Sequence, residues 1–475
     1  MLTDTGLPAA SPGAWPGPLP LLAAHVADPV AARSQMGFSL GWHIVLACLG
    51  VGLPALVVFA EWQAIRTGDA TYARLAQQWA RVLGVLFAVG AVSGTILSIE
   101  LGVLWSGLMT DYGQVIGLPF AIEGIAFFVE AIFLGIYLYG WDRLPRRVHV
   151  LTGLPIIAAG IASAFFVVSA NAWMNTPTGF TIAGGHLVRV DPWAAMFNPA
   201  TGPETVHMIL AALMVTGFSV ASVYAVGMLR GRTDRYHRLG LLVPFTGAAI
   251  ITPIQIVVGD WAARMVADEQ PAKLAAMEAL AQTTTGAPES LGGYYDGHLH
   301  DAIQIPYGLS LLAKLDPHAT IQGLDAFPPN DVLVPPLVTL VHLSFDAMVG
   351  IGFALLALGL WLAWSWWRHR DLPPTRWFLR AVALSGIAAT AAMELGWIVT
   401  EVGRQPWIVY GVMRVADAVN PEPGIQYGFY AVVAIYAVLT VITVLILRRL
   451  TTRGGAAVAP QEPEIQPEPE GRPAR

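Results

Sequence analysis

The sequence predicts an all-α polytopic membrane protein: a nine-transmembrane-helix bundle with its N-terminus outside and its C-terminus in the cytoplasm. Three observations lead there. The 475 residues are 55% hydrophobic and only 12% charged, where a soluble domain carries about 25% charged residues. Nine apolar stretches of about 20 residues are each long enough to cross a bilayer as a helix. No stretch shows the alternation of a barrel strand, so backbone polar groups in the membrane must be paired within helices.

Taken in order, residues 1–33 form a Pro/Ala-rich extension with no Lys or Arg before Arg33, and without a basic leading region it does not read as a signal peptide. The predicted spans are 39–61, 82–104, 119–140, 149–171, 205–229, 240–259, 337–364, 378–401 and 426–447. Spans one to six thus occupy 34–259, a long outer connection 260–336, and spans seven to nine 337–450. The Pro/Glu/Gly-rich acidic tail, 451–475, is expected to be disordered. Nineteen of the 26 Lys and Arg residues fall in the connections on one side and seven on the other, and the richer side is the cytoplasmic one. The single cysteine, Cys48, excludes an internal disulfide and a multi-Cys iron–sulfur or zinc site. No internal repeat is visible, which weighs against an inverted-repeat transporter.

The informative residues are the polar ones that a membrane makes expensive. A charged carboxylate near the bilayer centre costs roughly 2.5–3.5 kcal/mol on insertion scales, and less towards the interface. With the orientation above, His43, Glu100, Glu123, Glu130, Asn171, His207, Asp346, Met348, Glu394 and Glu401 all fall in the outer half of their spans. Glu123 and Glu130 are seven apart, two helical turns, and so share a face. Singly, each has a plain reading: His43 and His207 as satisfied core or interfacial histidines, Met348 as packing, Glu401 as an interfacial carboxylate paired with Arg404. Glu123 and Glu130 also suit a proton path without a metal. Convergence on one leaflet, from helices running both ways, is what a shared cofactor would produce. His, Met and Glu without Cys suit haem iron.

Several short motifs then carry a resemblance: RSQMGFSLGWH (33–43), LPFAIEG (118–124), GWDRLPR (140–146), SANAWMNTP (169–177), QPAKLAAMEA (270–279), IQIPYGL (303–309) and EVGRQPW (401–407). Over roughly residues 33–450 the chain resembles subunit I of the cytochrome bd oxidases. The resemblance implies a terminal oxidase of the bacterial cytoplasmic membrane that oxidises quinol outside and reduces O2 to water with cytoplasmic protons, without pumping. It implies His43 and Glu401 as ligands of two high-spin haems, one b and one d, and His207 with Met348 as ligands of a low-spin haem b. It implies further that Glu123 lies beside the oxygen-reducing haem, that Glu130 and Ser163 lie on a proton route, and that Arg33 and Arg404 lie near haem propionates. Lys273 and Glu278 match a quinol-contacting pair in a short form of the quinol loop. The implied partners are a homologous subunit II, optionally a small single-span subunit, quinol, O2 and the lipid bilayer, with no nucleic acid.

Two features depart from the family pattern: IEGIAFFVE separates Glu123 and Glu130 by seven residues where the family usually has eight, and one position carries a different residue. Two residues before the axial Met the family commonly has an Arg facing a propionate, and here Asp346 stands there. A carboxylate there would repel a propionate, and His342, one turn earlier, is a candidate substitute. Two alternatives follow: a divergent bd-like oxidase fed by a donor other than quinol, and, from another class, an ion or proton transporter.

Overall fold

The structure is a computed structural model that describes residues 28–184 and 186–456. The helices are α1 (Asp28–Thr67), α2 (Ala70–Leu104), α3 (Ser106–Gly140), α4 (Arg146–Asn175), α5 (Pro192–Met196), α6 (Thr201–Leu229) and α7 (Arg235–Glu269). They continue with α8 (Pro271–Met277), α9 (Gly308–Lys314), α10 (Pro335–His369), α11 (Arg376–Gly403), α12 (Val415–Ala418) and α13 (Ile425–Ala456). Among the described residues, nine helices are long and apolar enough to cross a membrane: α1–α4, α6, α7, α10, α11 and α13. Each predicted apolar span lies inside one of them. The helices outrun the apolar runs because helical hydrogen bonding satisfies the backbone equally well through polar turns; α3 starts 13 residues before its predicted span, through MTDYGQ. Residues 1–27 of the predicted extension and 457–475 of the predicted tail lie outside the described residues, while 28–33 and 451–456 continue α1 and α13.

At the basic end of the bundle, short polar side chains start the helices. Asp69, Asp234 and Thr375 each accept a hydrogen bond from backbone N–H groups in the first turn of α2, α7 and α11, satisfying donors that a helix start leaves free. Arg235 reaches Asp69 at 2.7 Å, and Arg238 pairs with Asp371, tying neighbouring connections together. The main core lies among α1–α4, α6, α7, α10 and α11 and includes Leu53, Leu75, Phe218, Phe245 and Phe378. Helix α6 is central, packing against α7, α11, α1 and α4.

Where α6 crosses α11 the approach is close. The Ser222 hydroxyl lies 2.8 Å from both the Phe218 carbonyl of its own helix and the Val382 carbonyl of α11, and it accepts from the Gly386 N–H at 2.9 Å. The Val382 carbonyl and the Gly386 N–H are the two groups a helix pairs with each other, so the hydroxyl sits against that rung of α11. A Cβ at Gly386 would lie 2.7 Å from the Ser219 Cα, which explains why glycine stands there.

The opposite end carries the long connection between α7 and α10. It contains α8, α9 and short two-stranded pairs, among them 289–291 with 303–305. The first turns of α10 clamp it through one face. Thr339 Oγ1 accepts from the Tyr295 N–H (2.9 Å) and donates to the Tyr295 carbonyl (3.1 Å). The Gly292 carbonyl meets His342 Nε2 (2.9 Å), and the Gly292 N–H donates to Asp346 (2.6 Å).

Candidate functional site

The loop end also gathers most of the expensive side chains. Glu401, in the last turn of α11, accepts from Asn171 Nδ2 at 2.5 Å and from Arg404 Nη2 at 2.7 Å. Arg404 Nη1 donates to Asn175 Oδ1 (3.0 Å), which also accepts from Lys273 Nζ (3.0 Å). The other end of the Asn175 amide donates to Glu204 Oε1 at 2.9 Å and to Asn171 Oδ1 at 3.3 Å. Asn175 is fully buried, and Arg404 and Lys273 are each only 2% exposed. Two cations and two carboxylates are thus organised by one amide, with its oxygen on the cations and its nitrogen on a carboxylate. Burial, then the neighbouring Arg404, pushes the Lys273 ammonium down to about 7, against the pull of Glu204 and Glu401.

Glu278, on the far side of α8, faces different company. It is 4% exposed and accepts a hydrogen bond from the Ser290 N–H. Burial, then Glu289 and Asp346, holds its carboxyl well above the usual carboxylate range. Glu289 is pushed up to about 7 by burial and by Asp346. His342 is fully buried between the Met277 and Gly292 carbonyls, and its Nε2 lies 3.6 Å from Asp346. Lys273 and Glu278 therefore stand at two poles of one short helix. Asp346 is engaged by the loop backbone.

The three remaining predicted ligands lie on three other helices. His43 on α1 has Nδ1 2.7 Å from Ser93 Oγ on α2, and its Nε2 has no hydrogen bond among the described residues. His207 on α6 faces Gln255 of α7, whose Nε2 lies 3.2 Å from either ring nitrogen. Met348 on α10 points at α11. A Cβ built on Gly94, Gly259 or Gly396 would come within 3.2, 3.3 and 3.0 Å of the His43 ring, the His207 ring and the Met348 sulfur respectively. In each case a glycine keeps space open beside the side chain.

Glu123 on α3 accepts from Ser163 Oγ of α4 at 3.0 Å. Glu130, two turns on, is 6% exposed, and a Cβ built on Gly160 of α4 would come within 3.7 Å of its Oε1. Arg33 is exposed on the first turns of α1, and the structure brings it to none of the other predicted residues. Sequence reasoning missed Asn175, Glu204 and Glu289 as members of these clusters. It noted Glu100 but not its buried contacts with Gln35 (3.0 Å) and Ser39 (2.8 Å).

These residues fit an iron porphyrin. Imidazole, thioether and carboxylate donors are present without a thiolate. Arg404 Nε is buried without a partner, a spare charged donor of the kind a propionate takes up. Gln255 Oε1 is likewise unpartnered beside His207.

The family model of the cytochrome bd terminal oxidase subunit I matches residues 31–455. The chain belongs to this family. It is 38% identical over 428 residues, 88% of this chain and 96% of the relative, to a Bacillus subtilis (strain 168) protein named provisionally as a cytochrome bd menaquinol oxidase subunit I. It is 29% identical to the cytochrome bd ubiquinol oxidase subunit 1 of the same organism, over 90% of this chain and 94% of the relative. A solved structure of the bd oxidase from Geobacillus thermodenitrificans superposes with a TM-score of 0.83 at 36% identity, covering 90% of this chain and 98% of the other. This subunit I is therefore a multi-pass, haem-binding membrane protein of an oxidoreductase family whose subunit I works with a subunit II. Membership displaces the transporter alternative.

Proposed function

We propose that this subunit I oxidises quinol at the loop end, taken as the outer face, and reduces O2 to water with cytoplasmic protons, without pumping. The observation that carries the reading is the buried chain Glu401–Arg404–Asn175–Lys273. It joins a proposed iron ligand on α11 to the proposed quinol loop through hydrogen bonds alone. When bound, the haems supply one-electron transfer and the iron at which oxygen is reduced. His207 and Met348 would hold a low-spin haem b; His43 and Glu401 would hold two high-spin haems, one b and one d. Arg404 neutralises Glu401 and keeps a spare N–H for a propionate, with Arg33 as a second, more exposed cation. Lys273 and Glu278 bracket the quinol from the two poles of α8.

Along α3 and α4, Glu123 and Glu130 hold protons for water formation, and the Ser163 hydroxyl fixes the Glu123 carboxylate while it waits. Residues 34–259 and 337–450 make up the haem-bearing bundle and 260–336 the quinol-facing loop. The expected setting is the bacterial cytoplasmic membrane, with subunit II and optionally a small single-span subunit beside this chain. Charge is separated because protons leave quinol outside and enter water from inside.

The test is a dithionite-reduced minus air-oxidised spectrum of the two-subunit complex, with oxygen uptake on quinol. A red-shifted chlorin band beside b-type bands, with quinol-dependent uptake, is expected; absence of haem bands in folded protein refutes the reading. Asp346, bound to the loop backbone where the family commonly has an Arg, favours a second reading with another electron donor. Haem bands with uptake that quinol cannot drive would select it.

A further inference from the structure

We infer that Glu289 is the base that takes up protons from a hydroquinone oxidised at the loop, an assignment that rests on the quinol reading above. Three carboxylates meet here, and their occupancy differs. Asp346 accepts the Gly292 N–H at 2.6 Å. Glu278 accepts the Ser290 N–H. Glu289 Oε2 is buried and has no partner. Of the three, only Glu289 keeps a buried oxygen with its lone pairs unclaimed, which is what a proton acceptor needs.

The surroundings fix it in place. Glu289 begins the strand paired with 303–305, and Gly308 at the start of α9 packs on its side chain, where a Cβ would lie 2.6 Å from the Glu289 Cβ. The titratable groups facing it are Asp346 and His342 from α10 and Glu278 from the end of α8. Burial and Asp346 raise its proton affinity, and His342 opposes them, leaving the carboxyl near 7, where a base and its conjugate acid interconvert most readily at neutral pH. Glu278 binds its proton more firmly than an ordinary carboxylate and so serves better as a hydrogen-bond donor than as a base. Glu289 is also the less buried of the two.

The chemistry balances. Oxidation breaks the two O–H bonds of the hydroquinone, and its two electrons pass singly to a ferric haem acceptor. Each proton in turn goes to Glu289 Oε2 and then to outside water.

The experiment uses the complete two-subunit oxidase in membranes, comparing wild type, Glu289→Gln and Glu289→Asp. Donors are decylhydroquinone and ascorbate with tetramethylphenylenediamine, a one-electron donor that releases no proton. Wild-type hydroquinone turnover is expected to rise with pH through about 7. Glu289→Gln should lower kcat about tenfold at pH 7 and remove that rise, with KM within about twofold, because a positioned base contributes rate more than binding. Glu289→Asp should recover part of the rate, and turnover with the amine donor should persist in both variants. Hydroquinone kcat and pH profile unchanged by Glu289→Gln, while Glu278→Gln or Lys273→Met impairs them, overturns this assignment alone. Equal losses with both donors also overturn it, as a structural effect. If none of the three substitutions affects hydroquinone turnover, the quinol reading of the loop falls with it.

Discussion

Asn175 is the residue on which the buried hub depends, and its replacement gives the sharpest test of the structure. Three hydrogen bonds to charged partners converge on its amide, to Lys273 (3.0 Å), Arg404 (3.0 Å) and Glu204 (2.9 Å). Bonds to charged groups contribute roughly 1.5–3 kcal/mol each, so Asn175→Leu nominally loses about 4.5–9 kcal/mol. Because the partners share one network the losses are not additive, and about 4–5 kcal/mol is expected. Asn175→Asp is the more discriminating change, since it keeps the acceptor for both cations but sets an oxygen against Glu204 in place of an N–H. It should be destabilised near neutral pH and partly recover on acidification, when a proton can bridge the two carboxylates. Combining it with Glu204→Gln restores a donor opposite the new carboxylate and should recover most of the loss. The assay is unfolding in detergent mixtures of increasing dodecyl sulfate fraction, followed by helix content. If Asn175→Leu costs less than about 1 kcal/mol, or Glu204→Gln fails to rescue Asn175→Asp, the hub does not hold charge as described.

Other outcomes follow from single contacts. Ser222→Ala removes the hydroxyl bridging Val382 and Gly386; a loss of about 1–2 kcal/mol and faster amide exchange at Gly386 are expected, by mass spectrometry of peptides around that residue. Glu61 accepts from Tyr137 (2.5 Å) and meets His149 (2.7 Å), all three buried; Glu61→Leu should cost about 3–5 kcal/mol, as breaking a buried pair does, and His149→Leu in that background should add little. A group whose folded pKa is raised contributes stability that is lost as pH rises. Glu289, moved from 4.5 to about 7, should therefore make the loop less stable between those values, a slope that Glu289→Gln flattens in proteolysis of the loop across pH. Lys273 runs the other way: moved from 10.5 down to about 7, it makes stability rise with pH across that interval, and Lys273→Met should abolish the rise.

The nine spans were legible because apolar length is written continuously along the chain, and charge asymmetry fixed the expected orientation. The helix ends were not, since polar turns such as those at the start of α3 leave no hydropathy signal. The polar residues His43, Glu123 and Glu401 could be singled out because a membrane makes each of them costly along an apolar run. Asn175 and Glu204 escaped notice because an Asn at a helix end and a Glu in a first turn are ordinary caps in one dimension. Only the approach of α8 and α11 makes them the centre of a charge network. Lys273 and Glu278, five residues apart, read as one pair until α8 is seen to point them in different directions. Glu289 lies in a loop segment with no periodicity, where only the folded hairpin brings it to Asp346.

The clamp between α10 and the loop has a mechanical consequence. Thr339, His342 and Asp346 grip the backbone at Tyr295 and Gly292, and the same helix carries Met348 just two residues past the last gripping side chain. A molecule that wedges the hairpin away from the bundle must either strip those bonds or pull the start of α10 with it. The loop is then a lever whose short arm ends at the thioether, so that crowding at the surface is felt as a change in sulfur position several residues inside the bundle.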